Sequence, residues 1–166
     1  MSREDAAGNR WHTERWPPLS WVETALKLAA FGVAYTTLVS SVGRPAAPAV
    51  EWTWRLASQV AILGVLSIGL LLVVWDRWRR REVISMVFVL LNVPAHWGLF
   101  AAVLRTPTAQ SGLLLFVWIM LAGDVVKSLS FYVSPLPVRD LSPAAGTALT
   151  GIYIAAYAAI GLIEHL

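Results

Sequence analysis

The sequence contains no cysteine, which excludes disulfides, thiolate metal sites and cysteine nucleophiles. Charge is also scarce: only 14% of the 166 residues are Asp, Glu, Lys or Arg, against about a quarter in soluble domains. Catalytic signatures are missing too, with no HExxH, GxSxG, GxxxxGK[ST] or GxGxxG. The three histidines, His12, His96 and His165, are too scattered to make a metal site by spacing. The net charge of +3 and pI of about 9.7 do not imply nucleic acid, because the basic residues cluster between apolar runs.

What is present is apolar: 57% hydrophobic residues and a mean hydropathy of +0.63. A helix crossing ~30 Å of hydrocarbon needs ~20 residues, so five crossings use most of the chain and leave no sizeable soluble domain. The expected fold is an all-α integral membrane protein, a bundle of five transmembrane helices, or four if the Ala- and Gly-rich fifth run fails to insert. Residues 1–20 read as a polar interfacial tail ahead of one helical membrane domain, 21–166. The expected spans are 21–42, 56–75, 83–104, 112–134 and 144–163. The first run, with Lys27 inside it and a polar leader before it, fits a secretory signal poorly. Within it, Glu23 and Lys27 stand at i,i+4 in the favourable order, and Lys27 is expected to snorkel to the near surface. Gly43 to Pro48 reads as a turn, Ser134 to Pro137 as a stop, and Ser142-Pro143 as an N-cap with proline at the first helical position.

Arginine sets the orientation. Arg3, Arg10, Arg15, Arg77, Arg79, Arg80, Arg81 and Arg139 flank one side, eight residues against three, Arg44, Arg55 and Arg105, on the other. The positive-inside rule then puts the N-terminus in the cytoplasm and the C-terminus outside. Arg77, Arg79, Arg80 and Arg81 read first as this orientation signal and second as a site for anionic lipid. Of nine tryptophans, Trp11, Trp16, Trp21, Trp75, Trp78, Trp52 and Trp54 fall at the two expected boundaries, as in an interfacial belt. Trp97 and Trp118 lie deeper, where helix packing or lipid contact competes with ligand stacking.

Polar groups at membrane depth are the one constellation able to carry chemistry, since insertion of a central Asp or Lys costs ~2.5–3.5 kcal/mol. Asp124 lies mid-span, with Lys127 one turn on at i+3. Asn92 lies at similar depth, Ser85, Asn92 and His96 share a face, and Thr150 and Tyr153 share another. Asp124, Lys127, Asn92, Thr150 and Tyr153 are therefore expected to converge near the cytoplasmic side, with Asp124 and Lys127 neutralising one another. Pro94 removes the amide that would bond Leu90, leaving a kink for packing or the lining of a small wet cavity. Small residues repeat at Ala25/Ala29, Ala57/Ala61/Gly64 and Gly151/Ala155/Ala159, and close packing within the bundle is expected from them.

Two fragments, Trp16-Pro17-Pro18 and Leu91-Asn92…Trp97…Leu99-Phe100, are superficially similar to the tryptophan-rich sensory protein (translocator) family, small five-span proteins that bind porphyrins and related apolar ligands. The gap of five residues between Asn92 and Trp97 departs from that family's three, and the Ala-rich fifth run lacks its Trp/Asn-rich last helix, so no site residue is carried over.

The first expectation is a non-enzymatic, multi-pass protein of the bacterial inner membrane, an accessory or structural subunit whose partners are the bilayer and other membrane subunits. The second is a small transporter or channel using Asp124, Asn92, His96 and Tyr153. The third is a binding protein for a pigment or lipid-like ligand, through His96, Trp97 and Trp118. No cofactor is expected beyond a tetrapyrrole on His96 under this last reading.

Overall fold

The computed structural model describes residues 11, 13, 16–44, 53–133 and 142–165. Trp52, Arg3, Arg10, Arg15, Arg139, most of the expected turn (45–48) and the expected stop at 134–137 lie outside them. The described chain is all-helical: α1 (Pro18–Val42), α2 (Trp54–Arg80), α3 (Val83–Arg105), a 3₁₀ turn (Pro107–Ala109), α4 (Gln110–Val133) and α5 (Pro143–Ile163). All five α-helices, α5 included, are long and apolar enough to cross a membrane.

Local chemistry explains the helix ends. Ser142 Oγ accepts from Ala145 N–H and Pro143 opens α5, the expected cap. Thr53 caps α2 in the same way, accepting from Leu56 N–H. The charged stretch after Trp75 is not a loop: α2 continues through it to Arg80. Arg81 then turns the chain in the left-handed region (φ 55°) and its N–H meets the Arg77 and Trp78 carbonyls. Arg77 also bonds the Glu82 carboxylate, bracing this two-residue turn. Pro94 lies within α3. One residue beyond the Leu90 carbonyl that Pro94 leaves without its helical donor, Tyr35 Oη of α1 donates to the Leu91 carbonyl at 2.7 Å.

The helices close a ring in the order α1, α3, α2, α5, α4 and back to α1. α1 thus sits between α3 and α4 rather than beside its sequence neighbour α2. Leu63, Leu99, Leu113, Phe116 and Ile160 fill the middle, all at 1% exposure or less. The α1–α4 contact is close because of Gly112, where an added Cβ would come 2.2 Å from Thr37 Oγ1, and of Gly123, where it would come 3.1 Å from Lys27 Cγ. At the end opposite the N-terminus, Gln110 Nε2 donates to Gln59 Oε1 (2.7 Å) and Glu164 Oε2 (2.8 Å). Gln59 Nε2 reaches the Ile160 carbonyl (3.2 Å), so this cluster ties α2, α4 and α5 together.

The small-residue stripes correct an expectation. Ala25, Ala29, Ala57, Ala61 and Ala155 are exposed, and a Cβ on Gly64 or Gly151 would meet nothing within 4 Å. Spacing marks a face that permits close approach, but these stripes look outward. Small residues that do pack inside include Gly98, Gly112, Gly123, Gly146 and Gly161, with Ala30, Ala34, Ala95 and Ala102 fully buried.

Gly112→Ala is expected to lower the melting temperature in detergent, with an overpacking cost of about 1–3 kcal/mol. Combining it with Thr37→Ala, which removes the two atoms nearest the new Cβ, should restore most of the loss; no recovery would mean that the helices are not packed as described.

Candidate functional site

The end of the bundle formed by the starts of α1, α3 and α5 and the finishes of α2 and α4 holds a partly open cavity of about 290 Å³. Trp16, Arg77 and Ser85 lie at its outer part, while Asn92, Met120 and Tyr157 lie deepest. Seven residues of α3 separate Ser85 from Asn92, a depth of roughly 10 Å at helical rise. The volume lies at the lower limit of pockets that take small molecules, about 300 Å³.

The polar wall is built across α1 and α4. Gly123 leaves room for the Lys27 stem to lie over α4, which carries the Lys27 ammonium to Asp124 Oδ1 at 2.5 Å and Glu23 Oε1 at 2.8 Å. Lys127 Nζ approaches Glu23 Oε1 from the other side at 3.4 Å. Four alternating charges result, Asp124, Lys27, Glu23 and Lys127, with no net charge among them. The Lys27 and Asp124 side chains are each 5% exposed, whereas Lys127 is 31% exposed.

Two expectations are corrected here. Asp124 is paired with Lys27 of another helix and not with Lys127 of its own. At i+3 both residues share a face, but α1 is packed against that face and offers a deeper cation. Lys27 does not snorkel outward; its ammonium has two carboxylates inside the bundle and stays there. Glu23 and Lys27 do form the i,i+4 pair that their spacing implies.

Asn92, Asp124, Lys127, Thr150 and Tyr153 all line this one cavity. Thr150 satisfies its own hydroxyl by donating to the Gly146 carbonyl at 3.0 Å. Asn92 is 4% exposed, yet its Oδ1 has no hydrogen-bond partner. Tyr153 Oη lies where a Cβ on Gly69 would come within 2.9 Å, so the phenol rests on α2 backbone that carries no side chain.

His96 does not line the cavity. It sits behind it, fully buried, with Nδ1 3.0 Å from the Asn92 carbonyl and Nε2 2.7 Å from Tyr157 Oη. A carbonyl only accepts, so Nδ1 carries a proton, and the neutral ring accepts the Tyr157 O–H through Nε2. Phe116 packs edge-on to the imidazole at 5.0 Å. With both nitrogens engaged by protein and no accessible edge, His96 is not placed to ligate a tetrapyrrole. Nor do His96, Trp97 and Trp118 converge. Trp97 and Trp118 are 45% and 43% exposed, Trp97 packs on Phe100, and Trp118 lies over Gly161 of α5.

Sequence reasoning missed Trp16, Glu23, Lys27 and Tyr157 as members of this site. The i,i+4 acid–base pair inside an apolar run was the available signal for two of them. Arg77 lines the cavity, held by Glu82 and Asp76, and Arg80 bonds Asp76 at 3.1 Å. Arg79 is exposed and Arg81 half-buried in the turn.

No family model, curated protein or solved structure matches the chain. The similarity to the tryptophan-rich sensory protein family is confined to its two short fragments.

Lys27→Leu is expected to strand the buried Asp124 carboxylate, leaving Glu23 to Lys127 alone, and to cost about 3–5 kcal/mol, the range for breaking a buried pair. Lys127→Leu, removing a part-exposed cation, should cost about 1 kcal/mol or less. Melting temperatures of the two variants in one detergent provide the check, and equal losses would contradict the assigned pairing.

Proposed function

We propose that this is a non-enzymatic, multi-pass protein of the bacterial inner membrane, with its N-terminus in the cytoplasm, that binds a small amphiphile in the cavity at its cytoplasmic end. Insertion is supported by the five apolar helices and by large apolar side chains on their outward faces, among them Val65, Ile68 and Leu72 of α2. Such continuous apolar surface is unfavourable in water and ordinary in lipid. The orientation rests on the arginine asymmetry alone.

The observation that carries binding is the cavity itself. It joins an apolar wall, including Leu70, Val89 and Met120, to a polar wall of Glu23, Lys27, Asp124 and Lys127. A cavity of this mixed character suits a molecule with an apolar tail and a polar head. The transport reading gains less support, because the packed centre and the Gln59–Gln110–Glu164 cluster lie between this cavity and the far end. The subunit reading is favoured by one separate feature, the outward small-residue faces of α1 and α2. It is compatible with ligand binding.

Native mass spectrometry of the protein from mild detergent should find one apolar-tailed molecule per chain, and Val73→Trp, which fills the cavity from its apolar wall, should lose it without losing the fold. Equal occupancy in that variant, or none in the wild type, counts against the reading. Because the chain has no cysteine, Arg79→Cys and Thr108→Cys report topology cleanly. An impermeant maleimide applied to intact cells should label Thr108→Cys and spare Arg79→Cys; the reverse pattern would invert the orientation.

A further inference from the structure

A second site lies at the opposite end of the bundle. We infer that the groove between the ends of α1 and α3 takes one chain of an anionic phospholipid, and that Arg105, with Arg44 as a second cation, meets its phosphate. This rests on the membrane insertion proposed above and not on the amphiphile cavity. α1 and α3 run parallel and touch closely at Gly98, where an added Cβ would come 2.9 Å from Leu38 Cδ2. Beyond that contact they leave an open groove of about 370 Å³, walled by Leu38 and Val42 of α1 and by Phe100, Ala101 and Leu104 of α3. Ser41 is the one uncharged polar side chain in it, and its hydroxyl already donates to the Leu38 carbonyl at 2.7 Å. The uncharged wall therefore suits hydrocarbon. Trp97, packed on Phe100 with ring centroids 5.7 Å apart, extends the same α3 face one turn deeper, since Trp97, Ala101 and Arg105 recur every four residues. From Arg105 to Trp97 this face runs roughly 12 Å along the helix. A hydrocarbon chain under an anionic head matches its order, apolar below and cationic at the helix end.

Charge selects the head. Arg105 lines the groove at the end of α3 and is exposed. Arg44, just past α1, donates from Nη1 to Thr108 Oγ1 at 2.8 Å, and Thr108 Oγ1 lies 2.8 Å from Oγ1 of buried Thr106, the residue after Arg105. Arg44 is thereby tied to the turn that Arg105 opens. Among the described residues neither arginine has a carboxylate partner, whereas Arg77 has Glu82 and Asp76, Arg80 has Asp76, and Lys27 has Glu23 and Asp124. Glu164, the described carboxylate of this end, is engaged by Gln110 and Gln59 among α2, α4 and α5. Two guanidinium groups at a helix end that meets the headgroups thus have no counter-ion from the described protein, and an anionic head supplies one. Phosphate suits them, because the guanidinium fork binds its oxygens through paired N–H groups. A zwitterionic head returns a cation to the same place. A phospholipid of net negative charge is therefore preferred.

Native mass spectrometry of the protein from mild detergent, titrated with phosphatidylglycerol or with phosphatidylcholine of identical chains, reads the affinity of the first lipid bound. An arginine near a membrane surface favours an anionic lipid about fivefold, so phosphatidylglycerol should bind more than fivefold tighter than phosphatidylcholine. Arg105→Gln and Arg44→Gln should each lower the phosphatidylglycerol affinity about fivefold and leave phosphatidylcholine unchanged. Ala101→Trp, which fills the groove and keeps both charges, should lower it as far as Arg105→Gln does. All three positions are exposed, and unchanged lipid-free melting temperatures establish that the variants fold. Arg79 and Arg81 provide the control, since they too have no carboxylate partner among the described residues but line neither the cavity nor the groove. Their double change to Gln should leave the first step within about twofold. Loss in that control with Arg105→Gln unaffected moves the anion to the other end and overturns the site, as does equal affinity of the wild type for the two lipids. An effect of Arg105→Gln without one of Ala101→Trp overturns the groove as the chain's place. Binding of neither lipid overturns the site and counts against insertion as well. Val73→Trp, which blocks the amphiphile cavity, should keep the phosphatidylglycerol step, so the cavity reading and this one fail separately.

Discussion

The Lys27 ammonium, held between Glu23 of its own helix and Asp124 of α4, is the constraint around which the rest is arranged. A lone cation at that depth is costly in hydrocarbon, and so is a lone carboxylate. Together they fix how α1 lies on α4. Glycine at position 123 gives the Lys27 stem room, since an added Cβ would come 3.1 Å from Lys27 Cγ, and Gly112 lets the same helix pair close at its other end against Thr37. Once α1 occupies that place it separates α3 from α4 along much of their length, and the ring order follows.

The same pairing shapes the cavity. By neutralising one another, Glu23, Lys27, Asp124 and Lys127 form a polar wall without net demand for counter-ions. Asn92, on the adjacent helix, lines the same cavity, and behind it His96 bonds both the Asn92 carbonyl and Tyr157. The ion pairs hold the helices together and leave the empty volume beside them.

Much of this was legible in the residues. Apolar runs located five helices, Ser142-Pro143 announced the start of α5, and helical periodicity brought Asn92, Asp124, Lys127, Thr150 and Tyr153 to one end. Periodicity says which face a side chain occupies but not which helix covers that face. This is why Asp124 was matched with Lys127, and why Lys27, near a helix end, was sent outward to solvent. The small-residue stripes failed for the same reason: Ala25, Ala29, Ala57 and Ala61 allow close approach, and nothing in their spacing says whether the neighbour belongs to this chain. His96 looked like a ligand because it stood alone. Tyr157, sixty-one positions away, is its partner, and no local pattern links the two.

The most direct measurement of this account is a pair of double-mutant cycles in one detergent, Asp124→Leu with Lys27→Leu and Asp124→Leu with Lys127→Leu. The account predicts a coupling energy toward the upper part of the usual range of about 0.5–3 kcal/mol for the Asp124–Lys27 pair, and a clearly smaller one for Asp124–Lys127. A larger coupling between Asp124 and Lys127 would contradict it, returning the pairing to a single helix and removing the link that sets α1 against α4.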